Sequence, residues 1–261
     1  MFPREHGAWS LLITPFVAAL LLAGRLTWTV GAALCAVLAV FLLRAPLVAL
    51  ARQRWVWRER RAESAEARRW LLWLGPALAV SGGWLAVEWG AAALWMGAAA
   101  LGLTGGAVWM TVRNRQRTVW FQVVSCAGLA FSAVAAARAA AGHFPLWGWV
   151  LWGLCALHGA CGVLVVHARL DGIVSRKRGE AAGALRRTAW IAVAASGLTA
   201  AGVWFWAPWV AVAPALATAA QAMELGFMDL DTPLKRVGLR AMTVSIAHAL
   251  MLVWSLRPGV I

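Results

Sequence analysis

Residues 26–43 read LTWTVGAALCAVLAVFLL, and residues 44–69 read RAPLVALARQRWVWRERRAESAEARR. The first stretch carries no charge and approaches the roughly 20 apolar residues that cross about 30 Å of hydrocarbon. The second is dense in arginine. Inside lipid a chain must satisfy its own backbone hydrogen bonds, so the apolar stretch predicts a membrane-spanning helix. Cations crowded beside a span are held on the cytoplasmic side during insertion. The pair of stretches therefore predicts both a structure and an orientation.

The same alternation runs through all 261 residues. Charge-free stretches lie at 8–24, 26–43, 70–87, 91–112, 119–137, 146–166, 189–206, 209–222 and 241–254. The seventh and eighth form one apolar run, too long for a single crossing, which Ala207-Pro208 is expected to break. Arginines and lysines test the count. Arg4 and the clusters at 52–69, 113–117, 169–187 and 235–240 all fall on one side of a nine-span chain. Only Arg25, Arg138 and Arg257 fall on the other, and Arg44 ends span two. This places the N-terminus in the cytoplasm and the C-terminus outside.

Composition agrees. The chain is 62% hydrophobic and 13% charged, where soluble domains carry about a quarter charged residues. The expected fold is all-α: one polytopic transmembrane helical bundle over 1–261, with cytoplasmic basic loops near 51–69, 113–117, 167–187 and 228–240. The net charge of +14 lies in those loops, where topology accounts for it, so nucleic-acid binding is not expected. Cys35, Cys126, Cys155 and Cys161 lie inside spans without a CxxC pattern and read as buried thiols. Two spans, a long basic loop, two spans and a short basic loop describe 8–117 and again 119–240, giving a 4+4+1 layout. Such repeats place binding sites at their interface.

Polar residues within spans are scarce and therefore informative. Pro3-Arg4-Glu5-His6-Gly7-Ala8-Trp9 opens the first span, and Arg4 and His6 beside helix N–H groups suit a phosphate or carboxylate. Pro15 is expected to bend that span. Pro214, Thr218, Gln221 and Glu224 share roughly one face of span eight, and Asp229 and Asp231 follow it. His158 in span six, with Cys155 and Cys161 at helical spacing, and His248 in span nine would suit a haem or a metal only if they converge. A histidine hydrogen-bonded inside the bundle is the simpler reading. No cofactor and no metal ligand set is predicted.

The string PREHGAW followed by LLITPF resembles the opening of the YwiC-like family of bacterial membrane proteins. Weaker similarity continues at Arg113–Arg117 before Trp120, at His167-Ala-Arg169-Leu-Asp171 and at Pro233-Leu-Lys235-Arg236-Val-Gly238. The layout also resembles UbiA-type prenyltransferases, whose two long cytoplasmic loops carry aspartate-rich Mg²⁺ sites for an isoprenoid diphosphate. Here 44–69 contains no aspartate, only Glu59, Glu63 and Glu66 among arginines, and the second loop offers Asp171 and Glu180. The resemblance implies a protein that binds or processes a lipid or isoprenoid phosphate. The departure speaks against Mg²⁺-dependent prenyl transfer, leaves direct binding through arginines as one option, and leaves enzymatic activity open. Arg4, Glu5, His6, Arg44, Arg169, Asp171, Gln221 and Glu224 are the candidate ligand-binding residues of a cytoplasm-facing cavity in a multi-pass protein of the bacterial cytoplasmic (inner) membrane. The expected partners are the bilayer, anionic headgroups and a polyprenyl phosphate. A small-molecule transporter and a haem- or quinone-associated subunit through His158 and His248 are the alternatives.

Overall fold

A computed structural model describes residues 6–59, 63–179 and 184–257, with all their side chains except those of His6 and Leu234. The described residues form helices and connecting turns, with no strand. In order they are α1 (His6–Ala23), α2 (Trp28–Arg52), a π-helical turn (Gln53–Trp57), α3 (Glu63–Trp89), α4 (Ala91–Val112), α5 (Val119–Ala130), α6 (Ser132–Ala141), α7 (Leu146–Arg178), α8 (Ala184–Trp204), α9 (Pro208–Gly226) and α10 (Leu234–Ser255).

Six segments are long and apolar enough to cross a membrane: Trp28–Trp57, Glu63–Trp89, Ala91–Val112, Val119–Ala141, Leu146–Arg178 and Lys235–Ser255. A shorter apolar helix covers Gly7–Ala23. The apolar run near residue 207 breaks as expected: α8 stops at Trp204 and Pro208 opens α9, where its missing N–H costs nothing. Several boundaries differ from the sequence reading: α2 continues past Arg44 to Arg52, and α3 and α10 begin at Glu63 and Leu234, inside stretches expected as basic loops. The helix expected over 119–137 is divided at Phe131 into α5 and α6, and α7 continues to Arg178, leaving only a short connection where a longer basic loop was expected.

Local chemistry explains several helix ends. Thr27 caps α2 by accepting from the Val30 N–H at 3.2 Å, and its hydroxyl donates to the Ala139 carbonyl at 3.3 Å, joining α2 to α6. Gly142 and Gly179 close α6 and α7 in the left-handed conformation that side chains disfavour. Alanine-rich α6 is buried along nearly its whole length and lets α1, α2 and α7 approach closely. Ser132 donates to the Leu12 carbonyl at 2.7 Å, a polar tie inside this core.

The helix α1 packs against α5, α6, α7 and α10, and so runs through the middle of the bundle. On one flank α3 and α4 lean on α2; on the other, α8 and α9 pair and pack on α7. The outer helices present large apolar side chains outward, among them Trp73, Val80 and Val87 of α3 and Ile191 and Leu198 of α8. That surface suits lipid.

Candidate functional site

Two cavities flank the contact between α1 and α5. The first, about 260 Å³, lies among α2, α3, α4, α5 and α6 and is almost wholly apolar. Ala93, Met96, Gly97, Ala100, Leu103 and Ala107 form one face of α4 along it. Arg44 also lines it, and its guanidinium donates to the Thr111 hydroxyl at 3.4 Å in the last turn of α4. Arg52, two turns on, donates to the Thr111 carbonyl at 3.0 Å and to Asn114 Oδ1 at 3.2 Å. Arg44 is therefore the one cation among the described residues of the lining, and Arg52 meets the same threonine outside it.

The second, more polar cavity, about 310 Å³, lies between the start of α1 and helices α7, α9 and α10; most of its surface is still apolar, but more polar side chains reach it. Its wall includes Ser10, His158, Gln221, Glu224, Arg240 and Ser245. The Gln221 amide nitrogen lies 3.1 Å from His158 Nδ1 and 3.0 Å from the His158 carbonyl oxygen. Only a donor is tolerated beside that carbonyl, which assigns the amide orientation. His158 Nδ1 must then accept, and Nε2–H donates to Ser245 Oγ at 2.9 Å. Ser245 passes its own proton to the Ala241 carbonyl at 2.9 Å. The imidazole is thus held as a neutral tautomer on both edges.

His248 stacks on His158, with ring centroids 4.8 Å apart and planes 27° from parallel. Carbonyls of Ala213 and Leu154 face its ring, but neither nitrogen completes a hydrogen bond of normal geometry. Stacked imidazoles leave no gap for a porphyrin, so the two rings do not form the bis-histidine arrangement of the haem alternative. Nor do the cysteines join the pair: Cys161 turns to the Ala192 carbonyl at 3.4 Å. Among the described residues no group of three His, Cys, Asp or Glu side chains converges as metal ligands.

The candidate residues do not form one cluster. Arg44 belongs to the apolar cavity, Gln221 and Glu224 to the polar one. Arg169 is buried behind Glu224, with Nη1 at 3.4 Å from its carboxylate, and donates through Nη2 to the carbonyls of Asp229 and Thr232, the latter at 2.8 Å. It fastens the α9–α10 turn. Asp171 is half-buried on α7 and takes part in neither cavity. Thr218 leaves the expected span-eight face to bond Ser196 of α8 at 2.8 Å. Arg4 and Glu5 lie outside the described residues, and only the backbone of His6 is described, although Gly7 and Ser10 next to it line the polar cavity. Ser245 and Arg240 were not anticipated. Ser245 pairs with His158 from another helix, a contact that no spacing in the sequence announces.

Apolar spans in number, with enclosed space between them, define a multi-pass helical membrane protein. Residues 2–137, just over half of the chain, match the family model described as YwiC-like protein, and the chain belongs to that family. No curated protein and no solved structure matches it. The matched region contains every residue that lines the apolar cavity. Most of the polar cavity lies beyond it.

Proposed function

We propose that this YwiC-like protein binds an amphiphile with a phosphate headgroup, a lipid or isoprenoid phosphate, with its chain in the apolar cavity and its phosphate at Arg44. One observation carries the reading: a long, mostly apolar space whose lining includes one cation, Arg44, at one end. From Ala93 to Ala107 the lining face of α4 rises about 21 Å, more than half of the hydrocarbon thickness. Arginine forks recognise phosphate oxygens in pairs, and no divalent ion is needed to bridge them. The short contact between α4 and α5 supports entry of the chain from the lipid side.

Around this site we place a nine-span bundle in a 4+4+1, UbiA-like arrangement in the bacterial cytoplasmic membrane. Arg4, His6, Arg44 and the basic loops then face the cytoplasm. The balance of arginines between alternate connections supports that orientation, and the anionic inner leaflet would draw headgroups to the same side.

Organic extraction of the detergent-purified full chain followed by mass spectrometry tests the reading. A phosphate-bearing lipid should be retained near one per chain. Gly97→Phe should displace it, because space at Gly97 is open toward the cavity. Arg44→Gln should weaken retention of phosphorylated over neutral lipids. Retention no greater than for an unrelated membrane protein, or unaffected by both substitutions, rejects the reading.

A further inference from the structure

The polar cavity has a hydrogen-bonding balance of its own. Gln221 is only 7% exposed, and its nitrogen is committed to His158. Its Oε1 atom is buried with no partner among the described residues. His158 Nε2–H is spent on Ser245, and the Ser245 proton on Ala241. The donors of Gln221, His158 and Ser245 are therefore all committed, while a buried acceptor is left over. Such an acceptor calls for an incoming O–H or N–H.

Charge at the rim has the opposite surplus. Glu224 is held by buried Arg169 at 3.4 Å. Arg240 reaches the same carboxylate at only 4.0 Å and is 66% exposed, which leaves a cation over at the mouth. Gly7 and Ser10 bring the N-terminal end of α1 to the same rim, and its dipole also favours an anion. Gln221 and Glu224 lie three residues apart on α9, so floor and rim are separated by about 5 Å.

We propose that the polar cavity is a second binding site, for a small hydroxylated organic anion of the size of glycerol 3-phosphate. The anionic group meets Arg240 and the start of α1 at the rim, and the hydroxyl donates to Gln221 Oε1 at the floor. His158 acts as a positioning residue: it takes the Gln221 nitrogen and so leaves the oxygen as the unpartnered acceptor of this cavity-lining side chain, and Ser245 holds His158. This site is separate from the apolar cavity, so it stands whether or not a lipid is found there. The same chemistry is offered by a free solute and by a glycerol phosphate headgroup.

Titration calorimetry of the full chain in detergent, with glycerol 3-phosphate and with propyl phosphate, separates the two contacts. Glycerol 3-phosphate, which has two hydroxyls that propyl phosphate lacks, should bind about tenfold more tightly, the value of one of them satisfying the buried acceptor while the other stays in water. Gln221→Met should remove that preference while keeping propyl phosphate binding. Arg240→Gln should weaken both compounds by a similar factor. Gly238→Phe, which places a large side chain in open space on the lining, should abolish binding of both, and retained propyl phosphate binding shows that the Gln221 variant is folded. In nanodiscs, competition by phosphatidylglycerol identifies a headgroup as the source, and its absence identifies a solute. No binding of glycerol 3-phosphate at millimolar concentration, equal binding of the two compounds, or a hydroxyl preference that survives Gln221→Met overturns the proposal.

Discussion

Arg169 Nη1 lies 3.4 Å from Glu224 Oε1, and the arginine is 2% exposed while the glutamate is 27% exposed. The same guanidinium donates to the carbonyls of Asp229 and Thr232, so one buried side chain joins α7, α9 and the turn into α10. Removing a partner from a buried pair leaves an uncompensated charge and unsatisfied carbonyls. Arg169→Met should therefore cost about 3–5 kcal/mol. Glu224→Gln should cost less, because water reaches Glu224. Thermal unfolding in a fixed detergent reads both, and equal effects would contradict this hierarchy.

The α9–α10 turn should loosen in acid. The Thr232 hydroxyl at 2.6 Å and the Asp231 N–H at 3.0 Å hold the Asp229 carboxyl below the usual carboxylate range. Arg176 at 2.7 Å does the same for Asp231. Both values are depressed in the folded state, so the contribution is complete above the unfolded value of about 4 and is lost as pH falls through the lower folded values. Hydrogen exchange of residues 227–233, corrected for intrinsic rate, should rise below pH 4. Asp231→Asn with Thr232→Ala should show the loosened turn already at pH 7; an unchanged acid response would count against the mechanism.

Close helix approach should be sensitive to single methyl groups. A Cβ on Gly148 would stand 2.7 Å from the Ala137 Cβ across the α6–α7 contact, and nothing lies within 4 Å of one on Gly153. Gly148→Ala should destabilise by about 1–3 kcal/mol, the usual cost of overpacking. Gly153→Ala is the control and should be neutral or slightly stabilising, since alanine is the better helix former. The difference in melting temperature between the two variants measures the effect.

Orientation is open to direct labelling. In a cysteine-free background, cysteines placed at Arg115 and Gly179 should resist a membrane-impermeant maleimide in intact cells, and cysteines at Gly90 and His143 should react. The reverse pattern would invert the assignment of the basic loops. Reaction at all four sites would show that the labelled cells were leaky, and labelling of a cytosolic marker reports that independently.

The site was legible in part. Glu224 and Gln221 were recognised because a polar residue inside an apolar helix is costly and stands out. His158 and His248 stood out for the same reason, but a haem between them was excluded only once their rings were found stacked. Arg44 and Arg169 looked alike in the sequence, as arginines at the cytoplasmic ends of spans. In the fold, one borders an apolar cavity and the other is buried as a fastening for a turn. The orphaned oxygen of Gln221 could not be foreseen, because it depends on which neighbour takes the nitrogen.

What the amino-acid sequence determined alone was helix position: apolar length, proline and glycine at the ends, and the grouping of cations are local properties, and the lipid demand for internal hydrogen bonding acts on each segment separately. Tertiary structure alone decided how each helix is turned about its axis, and so which polar side chains share a space. That rotation follows from non-local fits such as Gly148 on Ala137 and Gly159 on Leu11. It set Arg44 and Gln221 on opposite sides of the α1–α5 contact, giving two cavities where the sequence suggested one.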